Sequence, residues 1–181
     1  MKLPTLDECE ALMKKYGVPQ NIRAHTESVR KVANYLAQRI AVAGRRVDLD
    51  CVDRAAFLHD LMKLYCINNN CRHALEAEKA LALAGFAEFG NIVRMHGLEE
   101  ILRFDSSTPL EGKIVWYADK RVNHDTVVSL RARYDYLKEQ YGLLNKEKMA
   151  QIVSTEKPAF ALEKELVKLA GLGDDFMRGF G

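Results

Sequence analysis

An all-α, single-domain helical bundle is the fold class this sequence predicts, and three observations carry that expectation. Apolar residues recur at the three-to-four spacing of a helix face, as in Val29, Val32, Leu36 and Ile40. Start and stop signals punctuate the chain at short intervals, among them the capping box Thr5-Leu6-Asp7-Glu8 and the glycines at 17, 44 and 85. No short run shows β alternation bounded by turn residues.

Taken in order, the elements follow from these signals. Thr5 opens a first helix, which Gly17 stops. Pro19 suits the first turn of a second, NIRAHTESVRKVANYLAQRI, which ends at Gly44. Asp48 or Asp50 can cap a third, CVDRAAFLHDLMKLY, followed by the polar loop INNN. The fourth, HALEAEKALALA, closes at Gly85, and a fifth around FAEFGNIVRMH ends at Gly97. Thr108-Pro109-Leu110-Glu111 joins a capping box to a proline in the first turn and opens a sixth, LEGKIVWYADKRV. Residues 126–141 make a seventh, stopped by Gly142, and the tail 145–170 adds one or two more, interrupted near Pro158. No repeat, low-complexity tract or long linker divides the chain. Residues 1–181 therefore read as one domain, with 142–181 as a C-terminal helical extension.

At 181 residues the chain is long enough for one hydrophobic core. Its 48% hydrophobic and 29% charged content is that of a soluble globular protein. A net charge of +2 supplies no long-range field to attract a nucleic-acid polymer. The N-terminus MKLPTLDECE lacks the apolar core of a signal peptide, and no apolar run approaches a membrane span. A cytoplasmic protein with no membrane partner is expected; the oligomeric state is not legible. Four cysteines (9, 51, 66 and 71) are then expected as reduced thiols; Cys66 and Cys71 could be read as half a zinc site, but no second half exists elsewhere in the sequence, so a thiol-zinc site is not expected.

The residues that interrupt the apolar pattern carry the chemistry. AAFLHDLMKLY places His59 and Asp60 side by side in an apolar run, where an aspartate without a partner is costly. A metal ion, a salt bridge or ordinary hydrogen bonds can compensate them. His25 sits at the inward end of the second helix's stripe, and His59 follows Val52, Ala55 and Ala56 on the third. Asp119 or Val122 shares a face with Ile114, Val115 and Ala118 on the sixth. His73 opens the fourth helix and His96 closes the fifth. Each residue alone has a plain structural reading, a bonded core histidine or an ion-paired helix end. Their convergence inside an apolar bundle is how helical proteins build metal sites.

A lone histidine, an adjacent His-Asp pair and a distant aspartate, in this order, resemble the HD-domain superfamily of metal-dependent phosphohydrolases. The contexts AHTESVRKVA, AAFLHDLMK and WYADKRV are similar to those of that family, over approximately residues 20–141. The resemblance implies an all-helical core and a divalent metal held by His25, His59, Asp60 and Asp119. HDLMK, with Lys63, resembles the HD-x-x-K, HDIG-like branch. It lacks the glutamate that follows the pair in nucleotidases and alarmone hydrolases. In the lysine branch, histidines in the positions of His73 and His96 often bind a second metal, which Asp60 would share. Symmetrical dinucleoside tetraphosphate hydrolases and cyclic-dinucleotide phosphodiesterases are relatives with two-metal sites, although the extra motif residues of the latter are not found here.

Such a donor set suits one or two ions of Mn, Fe, Co, Ni or Zn, and Asp60 is the candidate catalytic residue. The implied substrate is a small phosphoester or nucleotide. Lys63 reads either as a phosphate binder or as a helix-surface lysine. Arg94, Lys120 and Arg121 read as structural or solvated cations and His124 as a helix-end or capping residue. Trp116 and Tyr117 read as core, with base stacking as their functional alternative. Two other classes stay open beside the phosphohydrolase: a di-iron oxygenase on the same scaffold, and a non-catalytic helical module with a structural polar cluster.

Overall fold

The computed structural model describes residues 1–173; the last part of the expected extension, 174–181, lies outside the described residues. Helix α1 (Leu6–Lys15) begins with the expected capping box. The Glu8 N–H donates to Thr5 Oγ1 at 3.1 Å, and the Thr5 N–H donates to Glu8 Oε2 at 2.7 Å. Helix α2 (Gln20–Val42) buries Val29, Val32, Leu36 and Ile40 completely. Asp48, not Asp50, caps α3 (Leu49–Leu58) by accepting from Cys51 N–H at 3.0 Å. There follow α4 (Lys63–Asn69), α5 (His73–Leu83), α6 (Ala87–Arg94) and a 3₁₀ segment (Leu98–Arg103). Helix α7 (Leu110–Asp119) is buried from Gly112 to Asp119, so it runs through the middle of the core. Trp116 and Tyr117 are fully buried, which bears out their reading as core.

Several elements differ from the sequence reading, each for a local reason. The third helix does not run on to Tyr65; it stops at Leu58. Residues 59–62 turn on short-range bonds from Leu61 N–H to Leu58 O (3.1 Å) and Lys63 N–H to Asp60 O (3.0 Å). INNN is not wholly a loop, because α4 continues to Asn69. Asn70 then takes φ 50 and turns the chain back, so that Cys71 N–H donates to Cys66 O at 3.2 Å. That reversal joins Cys66 to Cys71 as a disulfide, against the expectation of reduced thiols. Cys9 and Cys51 are free and buried, and burial pushes both thiols up to about 12. Thr108 does not cap α7: its hydroxyl accepts from Asp105 N–H, while Glu111 accepts from Asp48 N–H at 2.9 Å.

A hairpin of β1 (Val122–Asn123) and β2 (Thr126–Val127) replaces the start of the seventh helix, which is α8 (Leu130–Leu137) followed by a π turn (Lys138–Gly142). The tail forms α9 (Lys146–Leu169) without a break at Pro158. Proline deprives the Ser154 carbonyl of its helical donor, but Ser154 is exposed and water can take that place. Thr155, Ala159 and Leu162 on the opposite side are buried and hold the helix on the core. No helix among the described residues is long and apolar enough to cross a membrane.

Candidate metal centre

Five residues from five places in the chain close on one carboxylate. Asp60 is 2% exposed, and its two oxygens face different partners. Oδ2 lies 3.6 Å from His25 Nε2, 3.5 Å from His59 Nε2 and 2.6 Å from Lys63 Nζ. Oδ1 lies 3.3 Å from His73 Nε2 and 3.9 Å from His96 Nε2. Asp119 Oδ1 flanks the first set, 3.1 Å from His25 Nε2 and 3.7 Å from His59 Nε2. Two groups of donors result, able to hold a metal each: His25, His59 and Asp60, and Asp60, His73 and His96. All six sequence-predicted histidine and aspartate positions are brought together.

The break after α3 explains how neighbours in sequence both reach the interior. A continuous helix would turn successive side chains about 100° apart, whereas the tight turn at 59–62 aims His59 and Asp60 at the same cluster. His73 enters from the first residue of α5 and His96 from the turn after α6, as the sequence placed them. Asp119 closes α7, and His25 stands on the second turn of α2.

Backbone carbonyls orient the imidazoles. His59 Nδ1 pairs with Ala56 O at 2.7 Å, His96 Nδ1 with Val93 O at 2.7 Å and His25 Nδ1 with His124 O at 2.5 Å. A carbonyl only accepts, so Nδ1 carries a proton in each; the Nε2 atoms of His59 and His96 then present lone pairs to the cluster, while that of His25 lies 3.1 Å from Asp119 Oδ1. The Nε2 atoms of His59 and His96 are buried without a hydrogen-bond partner. An orphaned buried acceptor costs free energy; a cation supplies what it lacks, so the donor set fits a divalent metal.

Electrostatics sort the groups. Burial raises the Asp60 carboxyl, but Lys63 and His59 outweigh it and hold it well below the usual range. Burial likewise opposes ionisation of Asp119, and Lys120 with His25 overcomes it. Burial lowers His96, and the neighbouring His73 and His59 lower it further; burial also lowers His73. For His59 burial is outweighed by Asp60 and Asp119, which raise it. Carboxylates are thus ionised and the second pair of histidines neutral, the states that ligands require.

The sequence reading missed two features, at His124 and Arg133. Lys120, read as a structural or solvated cation, is structural: it is 6% exposed, paired with Asp119, and donates to His96 O at 3.1 Å. His124 contributes its backbone oxygen, not a cap, from a turn at φ 54 that the adjacent Asn-His-Asp marks only weakly. Arg133, bonded to Asn123 of the same hairpin and near enough for its charge to bear on Lys63 and Lys120, carries no signal in the sequence. Lys63, read from sequence as a phosphate binder or a helix-surface lysine, pairs with Asp60 at 2.6 Å, its side chain 35% exposed beside the 36% exposed His73. The cluster opens to solvent on that side. A separate groove of about 700 Å³, lined by Arg131, Phe160 and Lys164, shares no residue with it.

An all-helical core closing histidines and aspartates on a shared carboxylate defines a metal-site bundle. The family model for the HD domain matches residues 22–123, and the chain belongs to that family. Its superfamily consists mostly of metal-dependent phosphohydrolases. No match to a curated protein or to a solved structure was found.

Proposed function

We propose that this chain is a metal-dependent phosphohydrolase acting on a small phosphoester or nucleotide. The observation that carries the reading is the pair of orphaned Nε2 atoms aimed at a carboxylate whose two oxygens face separate histidine sets. His25, His59, Asp60 and Asp119 would hold one ion, and Asp60, His73 and His96 a second. When bound, such ions neutralise phosphoryl oxygens and make water acidic enough to attack at neutral pH.

The chain's own residues do the rest. The carbonyls of Ala56, Val93 and His124 hold the imidazoles with Nε2 toward the aspartates, so no ring needs to turn before a ligand set forms. Asp60 stays ionised and offers one oxygen to each set. Asp60 committed in this way leaves Lys63 without its partner, and a lysine at the solvent-facing edge is then free to bind phosphate. Buried Lys120 keeps Asp119 ionised and tied to the His96 carbonyl, which links the two halves of the site.

Metal analysis of protein purified without chelator, followed by a panel of phosphomonoesters, phosphodiesters and nucleotides, tests the reading. Two ions per chain and phosphate release with Mn, Co, Ni or Fe(II) are expected. Absence of metal binding in apo-protein titrations overturns it. Consumption of dioxygen by a di-iron form that releases no phosphate replaces it with oxygenase chemistry.

A further inference from the structure

Among the described residues, three arginines bury Nε without a hydrogen-bond partner: Arg54, Arg94 and Arg133. Two of them have carboxylates for their charge. Arg54 Nη2 is 3.3 Å from Asp50, and Arg94 is within ion-pair range of Glu78 and Glu100. Arg133 has no carboxylate partner among the described residues. Its Nη1 donates to the Asn123 side-chain oxygen at 2.9 Å, and its guanidinium lies 5.7 Å from the centre of the Tyr136 ring. Both contacts are with neutral groups. A guanidinium does not shed its proton, so Arg133 holds a full, partly desolvated positive charge with no anion to meet it.

Its place is at the site. Asn123 belongs to the hairpin whose tip residue, His124, holds His25. The charge of Arg133 also bears on Lys63 and on Lys120, working against the charged form of each. Arg133 is therefore within electrostatic reach of both lysines that pair with the aspartates. Lys63 and Lys120 are spoken for by Asp60 and Asp119; Arg133 is not. The Asn123 and Tyr136 contacts hold its planar fork ready, which is the geometry that grips two oxygens of a phosphate at once.

Resting on the phosphohydrolase reading, we propose that Arg133 is a phosphate-binding residue that, together with Lys63, selects phosphomonoesters over phosphodiesters. A monoester carries up to two negative charges at its phosphorus and a diester one. Two cations, Lys63 and Arg133, favour the former.

The probe is inorganic phosphate, titrated calorimetrically into wild type, Arg133→Gln and Arg133→Lys, with metal content and melting temperature measured alongside. Glutamine keeps a donor for Asn123 and removes the charge, and lysine keeps the charge without the fork. Phosphate binding at least about tenfold weaker in Arg133→Gln, partly restored in Arg133→Lys, with metal content unchanged, is expected. KM for p-nitrophenyl phosphate should rise by a similar factor, and that for bis-p-nitrophenyl phosphate by much less. Unchanged phosphate affinity in Arg133→Gln, equal losses for both esters, or no phosphate binding by wild type overturns the proposal. So does loss of metal in the glutamine variant, because Arg133 would then act through the hairpin and His25. Phosphate bound through Arg133 by a protein that hydrolyses no ester would leave this subsite standing and remove the hydrolase reading. Hydrolysis unaffected in Arg133→Gln would do the reverse.

Discussion

Removing charge from the two aspartates separates an ion pair that can relax from one that cannot. Asp60 and Asp119 are both buried, and each is tied to a lysine. The lysines differ: the Lys63 side chain is 35% exposed and that of Lys120 only 7%. In metal-free Asp119→Asn, the Lys120 ammonium keeps the His96 carbonyl but loses its counter-charge in the interior. Stranding a buried charge costs about 3–5 kcal/mol. In metal-free Asp60→Asn, Lys63 turns its flexible stem toward water. The loss is then that of one charged hydrogen bond, about 1.5–3 kcal/mol.

Urea denaturation in chelator at neutral pH reads both. Asp119→Asn should be the less stable variant, and Asp119→Asn with Lys120→Met should recover most of the difference, since the stranded charge is gone. Divalent ion at a hundredfold excess over its Kd should stabilise wild type by about 2.7 kcal/mol per site, and both single variants should lose most of that gain. Asp60→Asn destabilised as much as Asp119→Asn, or no recovery on removing Lys120, would refute the reasoning that burial of Lys120 decides the order.

Two further outcomes follow from contacts away from the site. Burial raises the Asp53 carboxyl, but hydrogen bonds from Arg30 and Asn34 outweigh it and lower it below its ordinary value. A folded-state value below the unfolded one means stabilisation that is complete above the unfolded value and lost as pH falls through the folded one. Asp53→Asn should therefore cost about 1–2 kcal/mol at neutral pH and flatten the acid limb of melting temperature against pH. Glu163 on α9 accepts from Tyr117 at 2.7 Å and from Arg121 at 3.0 Å, and Arg121 also donates to Val128 O at 2.7 Å. Glu163→Gln should cost about 2 kcal/mol and speed amide exchange in the 122–128 hairpin; unchanged exchange would show that α9 does not brace it.

How much of this was legible in sequence depended on whether the determinant was local. Helix starts set by Thr5 and Asp48, and the inward stripe of α2, follow from side chains a few residues apart, and the structure keeps them. His25, His59 and Asp60 were recognisable because polar residues at inward positions stand out against an apolar pattern, whereas Asp119 shared its face with the alternative Val122, and the roles of Asp119, His73 and His96 were what the resemblance implied. The break at 59–62 was not, since AAFLHDLMKLY has helical periodicity throughout and only bonds made in the fold replace the regular ladder. The Cys66–Cys71 bond goes with a left-handed turn at Asn70 after a helix that runs through what reads as a polar loop, INNN. Lys120 and Arg133 are two among 27 basic residues, and what distinguishes them is what surrounds them in space.

The oddity of a histidine and an aspartate in the apolar run AAFLHDLMKLY has a physical answer in how the site balances donors and acceptors. The last turn of α3 and the end of α6 leave carbonyls short of helical donors, and those of Ala56 and Val93 take the Nδ1 protons of His59 and His96. That arrangement satisfies the backbone and exports the deficit inward. These two imidazoles turn a lone pair toward the aspartates, which are themselves acceptors. The site's two lysine heads compensate the carboxylates and leave the Nε2 atoms of His59 and His96 unsatisfied. A purely structural polar cluster would pair each acceptor with a donor, and here the chain supplies more lone pairs than protons. An interior arranged with that excess is stable on its own only at a cost, and a cation is the species that removes it.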